Sequence, residues 1–173
     1  MAYEYIEPQQ SGNANIPQEP RICRWFFAVE DFMERIKMES AYIAVAIKDK
    51  EGAPQVDDFA ITQDENDIAY LIIMRVCKDI AKTEFEKLAR ESFKIATDKS
   101  DITKTKVIFD AEATPEGDGN EWGVDTAILD YVASSSLVQW LTIKGLGNYI
   151  KVYMDKANKA KAELHRALFT FRM

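Results

Sequence analysis

The stretch from Asn148 to Phe171 constrains this chain more than any other. Ile150, Tyr153, Met154, Ala157, Leu164, Leu168 and Phe171, with the long stem of Lys161 among them, recur at intervals of three and four. That spacing draws one apolar stripe down a helix of about six turns. Asn148 stands where a side-chain cap would satisfy the first free amides, and Gly145 and Gly147 interrupt whatever precedes. A helix with a single apolar stripe draws most of its stability from packing. This one must therefore lie on other helices of the chain, on a second subunit, or on both.

The opposite face carries Lys151, Lys156, Lys159 and Arg166. From Asn148 onward six cations stand against two carboxylates, a net charge of +4 in a chain of −7, which leaves −11 for the remainder. Such asymmetry favours an oppositely charged partner or contact between copies of the chain. The plainer reading is that lysines solvate the outer face of an amphipathic helix. An acidic body argues against broad nucleic-acid wrapping, which needs basic surface to displace counterions.

At 173 residues, 47% of them hydrophobic, one domain able to bury its own core is expected. No long apolar run offers a membrane span, and the polar, acidic start from Met1 to Glu19 does not read as a signal peptide, so a soluble intracellular protein is expected. Cys23 and Cys77 lack C-x-x-C spacing and read as small buried hydrophobes.

Residues 1–20 are rich in Pro, Gln, Gly and Asn, a composition too polar to order itself, and form a flexible N-terminal arm. Tyr3, Tyr5 and Ile6 are its natural anchors on a neighbour. Residues 21–173 form the domain. Arg21 to Phe27 is a dense aromatic knot ahead of the first helix, with Trp25, Phe26 and Phe27 as a core lid. Val29, Phe32, Met33, Ile36, Ser40, Ile43, Ala44 and Ile47 mark that helix, which ends near Asp49.

Thr62 followed by Glu65 matches a capping box and starts a second helix, with Ile68, Leu71, Ile72, Arg75, Val76 and Ile80 on its stripe. Phe85, Leu88, Phe93 and Ile95 extend it or begin a further helix after a bend near Thr83. The broad apolar run Ala69 to Met74 makes this helix central. Residues 98–122 are an insertion: Ile102 to Phe109 is β-branched and reads as a strand, which needs a hairpin partner or a neighbour's edge. Phe109 is its expected interface residue. The acidic loop from Asp110 to Glu121 has oxygen-bearing residues at calcium-loop spacing, but Pro115 stands where that motif requires Gly, so it reads as solvated surface. Gly123 and Asp125 open a third long helix through Thr142.

The fold class is mainly α, a bundle of about four long helices with a mid-chain strand or hairpin excursion and an N-terminal arm that is disordered or docked on a partner. No catalytic, cofactor or metal site is expected. The sole histidine, His165, lies among Lys and Arg, and one histidine with two distant cysteines supplies neither a triad nor a zinc site; Ser134, Ser135 and Ser136, without a partnering base, read as small residues that let helices approach. Carboxylate chemistry through Asp64, Glu65 and Asp67 is the one enzymatic alternative.

The order D31-F-M-E-R-I36, A41-Y-I-A-V-A46, T62-Q-D-E-N-D-I-A-Y70, a polar β-branched excursion, Y131-V-A-S-S-S-L-V-Q-W140 and G147-N-Y-I-K151 resembles the head-to-tail connector (adaptor) proteins of tailed bacteriophages, over residues 28–173. The resemblance implies a virion structural protein, not an enzyme, assembling below the portal as a ring of about 12 identical subunits joined head to tail. It implies portal and tail or ring proteins as partners, DNA passing an acidic lumen without specific binding, no membrane, and a place in the virion neck after assembly in the host cytoplasm. Leu168, Phe169, Phe171 and Arg172 are then expected to dock on neighbours or the portal, with Trp25 a further contact. The alternative is a small helical regulatory or protein-binding module, closed as a monomer. Deleting residues 164–173 is expected to abolish docking while leaving helicity nearly unchanged.

Overall fold

The computed structural model describes residues 2–6, 21–89, 92–97, 104–113 and 123–172. In chain order it contains β1 (Ala2–Ile6), β2 (Arg21–Ala28), α1 (Val29–Ala46), α2 (Val56–Phe59), α3 (Asn66–Ile80), β3 (Phe93–Ala96), β4 (Lys106–Ala113), α4 (Val124–Ile143) and α5 (Gly147–Arg172). A 3-10 turn, Gln63–Glu65, leads into α3, and a π-helical turn, Ala81–Phe85, follows it. The protein is mainly helical with a small antiparallel sheet of strand order β1-β2-β4-β3. No described helix is long and apolar enough to cross a membrane.

Helix α4 lies at the centre. It buries Val124, Ile128, Val132, Leu137, Trp140 and Leu141, with Ala127, Ala133 and Ser136 between them, a set that spans most of its circumference. Accordingly α1, α3 and α5 all pack on it. The small residues Ala133 and Ser136 are buried where helices pack on α4. Gly123, at φ 103°, turns the chain into α4. At the other end Gly145, at φ 71°, closes it: the Leu146 amide donates to the Leu141 carbonyl at 2.9 Å and the Gly145 amide to Thr142 at 3.2 Å, a Schellman pair. That tight turn folds α5 back along α4. Helix α5 begins at Gly147, so Asn148 lies inside its first turn rather than capping it. Its buried stripe is Tyr153, Ala157, Ala160, Leu164 and Leu168. Met154, expected on that stripe, points to solvent.

Helix α1 buries the residues its spacing requires, Val29 to Ala44. Its Ser40 hydroxyl donates to the Lys37 carbonyl at 2.9 Å and accepts the Ile61 amide at 3.1 Å, pinning the chain ahead of α3. In α3 the stripe differs from the expected one. The core takes Ala69, Ile72, Ile73, Met74, Val76, Cys77 and Ile80, whereas Ile68, Leu71 and Arg75 are exposed. The continuous apolar run fits two helical stripes, and small Ala69 and Cys77 are what allow close packing on the inner one. The helix does not continue to Ile95. It ends beyond the π turn, and Phe93–Ala96 is instead the hairpin partner of β4.

The aromatic knot is a strand. Cys23, Trp25 and Phe27 of β2 are buried while Arg24, Phe26 and Ala28 are less so, an alternation of period two. Opposite them β4 sets Ala111, Phe109 and Val107. Phe109 meets Phe93 at 5.3 Å, Phe85 at 5.1 Å and Phe27 at 6.2 Å between ring centroids, and Phe27 meets Phe32 of α1 at 5.3 Å. Tilted and edge-on rings at these distances attract beyond their area. They fasten the sheet to α1 and to the π turn. Ala2–Ile6, expected within a flexible arm, pairs along β2 of the same chain, and residues 7–20 lie outside the described residues.

Most of the acidic loop lies outside the described residues too, but its first member does not. Asp110 is in β4, nearly buried, and accepts two bonds from Arg24, at 2.8 and 3.0 Å, with Lys94 at 3.7 Å. It is a cross-strand ion pair on the sheet's outer face, opposite Arg24 in register. Asp110→Ala leaves the half-buried guanidinium without its bidentate partner and is expected to cost about 3 kcal/mol in urea unfolding, near the lower end for a broken buried pair.

Candidate functional site

Helices α1, α4 and α5 leave a cleft of about 230 Å³ lined by Arg35, Glu39, Asp130, Ser134, Tyr153 and Lys156, among others. The Tyr153 hydroxyl donates to Glu39 at 2.6 Å, and Lys156 lies 3.4 Å from the same carboxylate and 4.4 Å from the Tyr153 ring centroid. Arg35 pairs with Asp130 across α1 and α4. Burial, and then the adjacent Glu39 carboxylate, push the Tyr153 phenol above its ordinary pKa, so it stays protonated as a donor. Glu39, Asp130 and Tyr153 each already hold a partner, and the arrangement acts as a polar brace holding α1 to α4 and α5.

A second cluster sits where the π turn faces α5. In that turn Glu84 is buried, at 2% side-chain exposure, with Lys161 Nζ at 3.3 Å and His165 Nε2 at 2.7 Å. The sole histidine thus does have a carboxylate, 81 positions away in sequence. A third contact joins the carboxylate expected in the enzymatic alternative to the end of α4. Glu65 accepts from the Thr62 amide at 3.1 Å, as the capping box requires, and also from the Thr62 hydroxyl at 3.2 Å and from Lys144 at 2.7 Å. Asp64 and Asp67 are exposed. No group of three metal-ligating side chains occurs among the described residues.

The expected interface residues divide. Trp25, Phe109 and Leu168 are buried in the subunit's own core. Tyr3, Tyr5 and Ile6 lie in β1, opposite Trp25, Cys23 and Ile22, and Phe171 and Arg172 end α5; the side chains of these five lie outside what is described. Phe169 is 66% exposed and stands free of the core. Because Leu164 and Leu168 are core residues, removing residues 164–173 would open the α4 and α5 packing rather than spare helicity. A truncation after Leu168 is the change that spares it.

Apolar side chains on the outward faces of α1 and α3 are more telling. Met38, Tyr42 and Val45 line the face of α1 opposite its core side, Tyr42 at 69% exposure. Ile68 and Leu71 do the same on α3, Leu71 at 66%. On α1 the three-and-four spacing of Met38, Tyr42 and Val45 carried the signal, whereas Ile68 and Leu71 were expected on the buried stripe of α3 and lie outside it. Comparison of the chain with protein-family models, curated proteins and solved structures returns no match.

Two outcomes test these clusters. Tyr153→Phe removes a charge-assisted hydrogen bond and is expected to lower unfolding free energy by about 1.5 kcal/mol. For Glu65, burial works to raise the pKa, but Lys144 and Thr62 outweigh it and hold the carboxylate below its ordinary 4.5. A depressed pKa contributes stability that is complete above that value and is lost as pH falls through the folded one. Lys144→Met is therefore expected to cost about 0.5–1 kcal/mol at neutral pH, with the difference from wild type shrinking below about pH 4. A difference that grows toward acid would contradict the assignment.

Proposed function

We propose that this chain is a structural subunit of a head-to-tail adaptor ring in a tailed-phage virion, seated below the portal and lining the DNA channel. The observation that carries the reading is the placement of apolar side chains on the outward faces of α1 and α3. Both helices bury their inner faces, α1 through Ile36 and Ile43 and α3 through Ile73 and Val76, and the outer sets stay largely exposed among the described residues. Two different outward faces are what a head-to-tail assembly needs, since each copy must present one surface and receive another.

Two further features support it. Exposed carboxylates at Asp57, Asp58 and Asp64 lie in α2 and in the turn ahead of α3, and like charge facing a channel lets phosphates slide without sticking. Phe169, exposed near the end of α5, is suited to a portal or tail contact once the ring has formed. The role is geometric: the helices form a rigid wedge, and the reading calls on no bound cofactor and no reaction.

Light scattering combined with negative-stain imaging tests the proposal. The purified chain is expected to form closed rings with an open centre as concentration rises, and a truncation after Leu168 to keep the rings while losing affinity for the cognate portal. A chain that remains monomeric at every concentration, or that stops at a closed dimer without a channel, would refute the ring.

A further inference from the structure

The outward faces of α1 and α3 match each other. On α1 the outward positions run Glu34, Met38, Tyr42 and Val45, acidic toward the start of the helix and apolar toward its end. On α3 they run Ile68, Leu71, Arg75 and Lys78, apolar at the start and basic toward the end. We propose that the outer face of α1 in one copy docks antiparallel on the outer face of α3 in the next, with Tyr42 set against Leu71. This rests on the reading of the chain as a self-assembling subunit, and it names the contact by which copies join.

The spacing carries the register. From Val45 back to Tyr42 is three residues and from Tyr42 back to Met38 is four; from Ile68 to Leu71 is three and from Leu71 to Arg75 is four. Laid antiparallel, the two faces therefore stay in step: Val45 on Ile68, Tyr42 on Leu71, and Met38 under the aliphatic stem of Arg75. At the next turn Glu34 falls beside Lys78. Asp79, on the other flank of α3, falls on the side of Arg35 rather than of Glu34, because flanking positions of an antiparallel helix pair meet their like flank. Flanking charges of this kind set partner and orientation. With Tyr42 again on Leu71, a parallel arrangement sets Glu34 beside Asp64 ahead of α3 rather than beside Lys78, so charge selects the antiparallel one.

The charges are free to serve this contact. Among the described residues no ion pair engages Glu34, Arg75 or Lys78, whereas the cations and carboxylates of the α1, α4 and α5 cleft are already matched within the subunit. The apolar part is also more than scatter. Five exposed aliphatic or aromatic side chains fall on two stripes, each at helical spacing and each at the middle of the face turned from the core.

Cysteine pairing tests the contact directly, since both native cysteines are buried and lie outside these faces. Tyr42→Cys and Leu71→Cys are made in separate full-length chains, mixed and mildly oxidised, while light scattering follows the wild type. The proposal expects a reducible dimer in the mixture and none in either variant alone. It also expects Leu71→Glu to weaken self-association at least tenfold with unchanged thermal unfolding, and Glu34→Lys combined with Lys78→Glu in one chain to associate more tightly than either single change. If Tyr42→Cys joins to itself, the helices meet as α1 on α1 and the assignment is overturned. Should the wild type assemble while the mixture gives no cross-link, this contact is wrong and the ring reading stands. A wild type that stays monomeric removes both.

Discussion

Helix α4 is apolar on most of its circumference, and covering it decides where everything else goes. An α-helix buried on one side can face water on the other, but a helix carrying Ile128, Val132, Leu137, Trp140 and Leu141 around its axis must be enclosed. The cover comes from α5, folded back by the Gly145 turn, from α3, and from α1. Burying the inner face of each covering helix fixes the direction of its outer face. The exposed stripes on α1 and α3 are thus a geometric consequence of enclosing α4, and their orientation is as rigid as the core beneath them.

The sheet depends on the same core from another side. Its inner face is aromatic, Trp25, Phe27, Phe93 and Phe109, and these rings close on Phe32 and on Phe85 of the π turn. The π turn therefore has two tasks. It presents Phe85 to the sheet, and the next residue back, Glu84, to Lys161 and His165 of α5. This single irregularity couples α3 to both the sheet and the terminal helix.

Much of this was legible in the residues, for identifiable reasons. The buried stripe of α1 could be read position by position from Val29 to Ala44, with Met38, Tyr42 and Val45 adding a second, exposed stripe on the opposite face. In α3 the same rule misled: from Ala69 to Met74 nearly every residue is apolar, so period alone could not separate Leu71, which is exposed, from Ile73, which is buried. Only contact with α4 distinguishes them. Strand β2 was hidden by its density of aromatics, although Cys23, Trp25 and Phe27 alternate with the less buried Arg24 and Phe26. The capping box at Thr62 and Glu65 was visible because it is local, while the bond from Glu65 to Lys144 and the meeting of Glu84 with His165 join residues far apart in sequence and leave no local mark.

The charge asymmetry of the chain looks different once it is folded. The basic terminal helix seemed to seek an acidic partner, yet Lys156 reaches Glu39, and Lys161 and His165 reach Glu84, all within the subunit. Part of the contrast between a positive tail and a negative body is resolved by packing one on the other. A charge satisfied inside the molecule contributes little to recognition, because drawing it outward leaves its partner unmatched. In the contact proposed between copies, recognition rests on charges for which the described residues supply no ion pair, and those that flank exposed apolar positions are the most effective, since desolvation by the apolar contact strengthens them. Glu34 beside Met38, and Lys78 beyond Leu71 and Arg75, meet that condition.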